Sequence, residues 1–356
     1  MKKIDFVIDS LATGGAEQML LRQIRHSDRE PTVYKLGGPD DLKDEFVTAG
    51  ASIIDIGDLS SGYFQIVNRL RKELLASKPY VVHAHLPNAH IVTRPAAKLA
   101  GVESVVCTHH NIASSNTYQS TVGKLEKYTR FLDDVEVAVS ETVRESHKMS
   151  LGSGNWHVVP NSIDVTGYHK KVKNARRDLY EEYHPIFLNV GRYAPPKGQK
   201  DIIKAMPKVL DEFPEAIVVI VGWGELEKSL NDLADELKVS EHVSVTGRSN
   251  SVYKYYNSAD IFVFPSYWEG LPIVLLEAMA AGLPIIGSDI GPIPKLIKDD
   301  FGTIVPPKAP EDLAEAMISL SRSNTKKSGS TAYQHVRDRY NIRSHIINYR
   351  NIYRSL

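Results

Sequence analysis

DIFVFPSYWEGLPIVLLEAMAAGLPIIGS, residues 260–288, reads as strand, loop, helix and strand. The apolar run Asp260–Pro265 has strand character, and SYWEG is a loop. Pro272 has the fixed φ that suits the first turn of a helix, which runs through Ala281. LPIIGS (283–288) then returns to a strand. Two short β-rich runs joined through a helix make a βαβ unit of a parallel sheet. The stretch also carries two acids. Glu269 precedes the helix and needs no special account. Glu277 sits among Leu275, Leu276, Ala278 and Met279, and an acid in apolar surroundings needs a partner.

The same rhythm extends outward in both directions. IFLNVG (186–191), AIVVIVG (216–222) and HVSVTG (242–247) precede the quoted unit, with helical segments between them. Earlier in the chain IDFVI, TVYKL, SIIDI, YVVHAH, SVVCTH, VEVAVS and HVVP (157–160) form a second series. The basic stretch Tyr168–Arg177 separates the two and reads as a solvated linker and helix start, with a membrane-facing role as the alternative. The expectation is two doubly wound α/β domains in tandem, 1–166 and 167–340. A final helix over 341–356 carries apolar Ile342, Ile346, Ile347, Tyr349 and Ile352, and SRSNTKKSGS (321–330) is a loop.

A length of 356 residues also favours two domains. With 43 basic and 43 acidic residues there is no general attraction to nucleic acid, so no nucleic acid partner is expected. Cys107 is the lone cysteine, which excludes an internal disulfide and a cysteine-based zinc site. No stretch of about 18 uninterrupted apolar residues is present, so a membrane-spanning helix is not expected. The start, MKKIDFVIDS, reads as a first strand and not as a signal peptide. Cytoplasmic location follows, with peripheral membrane association at the inner face left open.

Ligands of open parallel sheets bind beyond the carboxyl ends of the strands. Gly14 and Gly15 follow the first strand, where backbone N–H groups at a helix start stabilise an anion. The GxGxxG spacing of dinucleotide dehydrogenases is absent. After IFLNV, Arg192 and Lys197 flank a Pro-Pro pair; such a fork and point charge suit a diphosphate. In the quoted unit the Gly270 and Leu271 N–H groups lie at the helix start, and Glu277 can accept bonds from two neighbouring hydroxyls, as a ribose offers.

The pattern E-G-L-P-x4-E-A-M-A-x-G-x-P resembles the retaining, GT-B-fold glycosyltransferases of family 4. GGAE (14–17), VVHAHL (81–86), Thr108–His110, VVPNSID (158–164), VGRYAPPKG (190–198), VGWGELEKSL (221–230), TGR (246–248) and NSADIFVFPS (257–266) follow in the family's order. Ser162 stands where that family usually has glycine, a change that a turn tolerates.

The resemblance implies a GT-B fold, two Rossmann-like domains facing a central cleft, with the 341–356 helix crossing back onto the acceptor domain. It implies transfer from a nucleotide-sugar donor, UDP- or GDP-linked, to a glycan or lipid-linked saccharide acceptor, as in polysaccharide biosynthesis. Arg192 and Lys197 would hold the diphosphate, and Glu277 the ribose. Glu269 with Gly270 and Leu271 would meet the transferred sugar, and Gly15 the phosphates. His110 would meet a sugar hydroxyl, with His109 as the adjacent alternative. Thr246, Gly247 and Arg248 would border the base. Acceptor choice would lie in the loops around 58–66 and 111–122. With these cations, and no Asp-x-Asp beside a strand end, no cofactor and no metal are expected. A nucleotide-sugar epimerase, which product analysis would reveal, and a non-catalytic nucleotide-sugar-binding module are the alternatives.

Overall fold

Runs rich in Val and Ile build two separate, wholly parallel sheets, as the alternation of short strands and helices requires. The computed structural model describes residues 2–27, 30–113, 119–176, 179–249 and 251–356. Two compact units result: unit 1 comprises Met1–Ser162 with Ile342–Leu356, and unit 2 comprises Ile163–Asn341.

In unit 1 the strands are β1 (Ile4–Ile8), β2 (Thr32–Lys35), β3 (Ser52–Asp55), β4 (Val81–His85), β5 (Ser104–His109), β6 (Val135–Ala138) and β7 (Trp156–Val158). Their order is β3-β2-β1-β4-β5-β6-β7. Unit 2 contributes β8 (Ile186–Val190), β9 (Ile217–Val221), β10 (Val243–Val245), β11 (Ile261–Phe264), β12 (Ile285–Ser288) and β13 (Gly302–Val305), ordered β10-β9-β8-β11-β12-β13. Each order reverses direction once, beside β1 and β4 in one sheet and beside β8 and β11 in the other. A crevice suited to a ligand forms at such switch points.

Three sequence expectations are corrected. The first unit ends at Ser162 rather than 166, because Val165, Tyr168 and Val172 bury themselves in unit 2, where Tyr168 packs edge-on against Tyr253 and Tyr256. The basic stretch is accordingly a helix of unit 2, Val165–Lys173, with Lys170, Lys171 and Lys173 exposed. SRSNTKKSGS is mostly helical, since helices span Pro310–Ser321 and Thr325–Arg339. Asn324 caps the second by accepting from the Lys327 N–H, and Gly329 packs where a side chain would overlap the Gly282 carbonyl. The strand β13, Gly302–Val305, adds to the expected series; it lies at the sheet edge and only Ile304 and Val305 in it are strongly apolar.

The terminal helix Ile342–Ser355 packs into unit 1 through a polar spine as well as an apolar face. Tyr349, Ile352 and Tyr353 join a core with Ile4, Phe6 and Ile8, while Ile347 stays exposed. Gln23 Nε2 donates to the Tyr353 hydroxyl at 3.0 Å, and that hydroxyl lies 2.7 Å from His83 Nδ1. His83 Nε2 is 2.7 Å from Thr108 Oγ1, which is 3.0 Å from the Tyr349 hydroxyl. Tyr353→Phe strands both Gln23 and His83 in a buried setting. It should therefore lower unfolding stability by about 1–3 kcal/mol in urea titration; an unchanged midpoint would remove the spine from the account of this packing.

Candidate active site

In unit 2 the loops after β8, β9, β10 and β11 lock together backbone to backbone. Tyr193, fully buried, is the hub: its N–H donates to the Trp223 carbonyl at 2.7 Å. Its hydroxyl donates to the Ile220 carbonyl at 2.8 Å and accepts from the Gly247 N–H at 3.1 Å. Burial pushes that phenol up to about 12, so it stays protonated as a donor. Gly222 is required because a side chain there would overlap the Gly191 carbonyl; at Gly198, with φ +66°, it would overlap the Pro265 carbonyl. The Tyr267 N–H closes the set by donating to the Pro196 carbonyl at 2.8 Å.

This frame carries the unit 2 residues singled out from the sequence. Lys197 and Glu269, on the β8 and β11 loops, meet directly: Lys197 Nζ donates to Glu269 Oε1 at 2.6 Å, with both side chains mostly covered. Arg192 is exposed on the same loop, and its carbonyl accepts from Gln199 Nε2 at 3.0 Å. Gly270 and Leu271 are buried just ahead of the helix Ile273–Ala281, whose N-cap is Pro272 in an extended conformation. Pro272 thus stands one position before the first turn instead of within it. Glu277 is half-buried one turn into that helix. Thr246 and Gly247 follow β10, Gly247 with φ +74°, and the Arg248 guanidinium lies 5.1 Å from the centre of the Trp223 ring.

Unit 1 presents its own strand ends. Gly15 is exposed as the first residue of the helix Gly15–Arg25, which Gly14 caps without a side-chain bond. His110 follows β5, half-buried, with Nε2 3.0 Å from His85 Nδ1. Its Nδ1 has no hydrogen-bond partner among the described residues. Burial first, then His345, holds its pKa down to about 3, so the ring is neutral at pH 7. His109 instead is 3% exposed and faces Glu126 and Glu136 inside the unit. Of the adjacent pair, His110 is the one near the surface.

Two acids of unit 1 were not singled out from the sequence. Asp9 directly follows β1, where its carboxylate accepts from the Ala89 N–H at 2.7 Å and from Asn88 Nδ2 at 3.0 Å. Burial nevertheless raises it to about 6. Glu17, buried in the first helix, is raised for the same reason and accepts from Ser10 Oγ at 3.3 Å. For Asp9 the position after a strand end was the available signal, and for Glu17 its place in GGAE (14–17). Part of the expected acceptor region, residues 114–118, lies outside the described residues. No described helix is long and apolar enough to cross a membrane.

Comparison with known proteins accords with this frame. Residues 13–166 match the family described as Glycosyltransferase Family 4, and residues 171–335 match Glycosyl transferases group 1. A phosphatidyl-myo-inositol mannosyltransferase of Mycobacterium tuberculosis is 30% identical over 288 residues, 78% of this chain and 73% of that protein. A UDP-Gal:alpha-D-GlcNAc-diphosphoundecaprenol alpha-1,3-galactosyltransferase of Escherichia coli is 29% identical over 257 residues; the match spans 65% of this chain and 63% of that enzyme's length. Among solved structures, HepE of Anabaena in complex with UDP-glucose aligns over all of both chains with a TM-score of 0.88 at 19% identity, a likeness of fold. With a 30% identical relative matched over most of both lengths, and a family description fitted to each half, this chain belongs to the group 1 glycosyltransferases of family 4.

Proposed function

We propose that the chain is a retaining glycosyltransferase that moves a sugar from a nucleoside diphosphate sugar to a glycan or lipid-linked saccharide acceptor. The observation that carries the reading is the Lys197–Glu269 pair on the interlocked strand-end loops. Without a donor, Glu269 neutralises the lysine. An arriving diphosphate would take over the lysine, with Arg192 beside it, and release Glu269 to a sugar hydroxyl together with the Gly270 and Leu271 N–H groups. The helix Ile273–Ala281 adds its positive end to the same place. Two named relatives act on lipid-linked acceptors or lipids, and the HepE complex holds UDP-glucose, which makes UDP the first donor nucleotide to test. Unit 2 is the donor unit in this reading, with Thr246, Gly247 and Arg248 bordering the base. In unit 1, Gly15 offers a backbone N–H to phosphate and His110 a neutral imidazole to a hydroxyl.

Enough positive charge stands at the diphosphate for metal to be dispensable there. Calorimetry with UDP and GDP tests both this point and the ribose contact. Glu277→Gln should weaken the preferred nucleotide about tenfold or more, as loss of charged hydrogen bonds of about 1.5–3 kcal/mol implies. Adding magnesium or manganese should leave the wild-type affinity unchanged. Equal affinity of wild type and variant would remove Glu277 from the site, and strict dependence on manganese would overturn the charge argument. A lipid-linked acceptor would also bring unit 1 to a membrane surface, where exposed Tyr128 and Phe131 with Lys124 and Lys127 suit anionic headgroups. Failure to co-sediment with anionic vesicles would exclude that part.

A further inference from the structure

Deep in unit 1 two imidazoles and a carboxylate converge, one imidazole on the residue just before His110. His90 comes from the helix Pro87–Ala100, His109 is the last residue of β5, and Glu126 lies in the helix Thr121–Thr129. None is more than 3% exposed. His90 Nδ1 is 2.9 Å and His109 Nδ1 3.6 Å from Glu126 Oε1, and one ligand atom from each residue lies within 4.8 Å of the others.

The opposite nitrogens settle what points inward. His90 Nε2 is 3.1 Å from the Thr108 carbonyl oxygen, which can only accept, so Nε2 carries the hydrogen. His109 Nε2 lies 3.2 Å from Glu136 Oε2, close to but off the line of a hydrogen bond, on a carboxylate that Arg130 holds in place. A hydrogen on that nitrogen is again the favourable arrangement. Both neutral rings then turn a lone pair toward the Glu126 oxygen. Three lone-pair atoms facing one another demand a positive centre. A shared proton serves the 2.9 Å contact between His90 and Glu126 but leaves His109 Nδ1 at 3.6 Å with little. A cation bonded at roughly 2.0–2.2 Å to nitrogen and oxygen alike serves all three. The Thr108 carbonyl behind His90 is the kind of acceptor that orients a metal-bound histidine.

We propose that unit 1 holds a structural divalent cation, of the zinc type, between His90, His109 and Glu126. Two imidazoles with one carboxylate favour zinc over calcium or magnesium, which take oxygen ligands. Bound there, the ion clamps the helices on either side of β5 to the end of that strand, next to His110. It stands in unit 1 and leaves the charge argument at the unit 2 loops unchanged.

The full chain, expressed with added zinc and desalted, should carry about one zinc per chain by elemental analysis. Stripping it with 1,10-phenanthroline should lower the thermal midpoint by about 4 °C or more, and zinc should restore it. Glu126→Gln, nearly isosteric, should lose zinc at least about tenfold with an unchanged circular dichroism spectrum. Should that variant not fold, cobalt-loaded wild type decides instead by the visible absorption of nitrogen- and oxygen-bound cobalt. A zinc-exposed wild type with less than about a tenth of an equivalent and an unmoved midpoint would overturn the proposal. So would zinc retained by Glu126→Gln, or cobalt without visible bands.

Discussion

Arg192→Ala and Lys197→Ala should each lower kcat by about 10²–10³ while raising the donor KM far less. Breaking the bond between sugar and diphosphate puts negative charge on the departing phosphate, and that charge is greatest in the transition state. Cations already fixed beside it act there more than on the bound donor. The structure gives Lys197 a fixed place, on a loop locked by Tyr193 and Gly198 and oriented by Glu269 at 2.6 Å. Its loss also leaves Glu269 without its counter-ion, so Lys197→Ala should show a larger KM effect than Arg192→Ala. Steady-state kinetics with the preferred donor checks both. Variants that raise KM tenfold or more at unchanged kcat would assign the two cations to ground-state binding alone.

Unit 1 should lose stability steeply as the pH falls below 6.5. His83, His85 and His345 are buried there, and burial holds each below the ordinary imidazole range, His345 at about 4. In the unfolded chain these rings titrate near 6.5. Between that value and their folded pKa the unfolded chain binds protons that the folded one refuses, so the stability they confer is full above 6.5 and falls with pH. For His345 alone the loss reaches about 3 kcal/mol by pH 4. Asp9 has the opposite sign. Its folded pKa of about 6 lies above its ordinary 3.8, so its contribution is full below 3.8 and is lost as the pH rises through 6. Burial also raises Glu17, Asp133 and Glu136, and these four acids are outnumbered by the buried histidines once His110 and His147, each held down to about 3, are counted. Hydrogen exchange resolved by peptide should show unit 1 opening at pH 5 before unit 2, and His345→Gln should flatten the slope. Equal protection of unit 1 at pH 5 and pH 7.5 would contradict this.

Much of the fold was legible because burial on both sides forces parallel strands to be continuous apolar runs, and such runs as IDFVI and AIVVIVG stand out. GTIV did not stand out, since in this edge strand only Ile304 and Val305 are strongly apolar. The helix start at Thr325 was hidden by Ser, Thr and Lys, which face water and look like a loop until Asn324 is seen as a cap. In the candidate site, Arg192, Lys197 and Glu269 were visible as charges beside glycine and proline at strand ends, and Glu277 as an acid among apolar helix residues. Tyr193 was not, because its hydroxyl bonds to a strand residue 27 positions away and a loop residue 54 positions away. The same applies to His90, His109 and Glu126. They come from three elements, and nothing in their spacing joins them before the sheet does.

The stereochemistry of transfer tests the central claim most directly. In the proposed reading neither Glu269 nor Glu277 is free to be a covalent nucleophile: once the diphosphate takes Lys197, Glu269 turns to a sugar hydroxyl, and Glu277 is assigned to the ribose hydroxyls. Attack on the face that the diphosphate leaves, with the departing phosphate taking the acceptor's proton, keeps the anomeric configuration. Proton NMR of the first-formed product from an α-linked nucleotide sugar should therefore show an α-linkage, and a β-linked first product would contradict the mechanism.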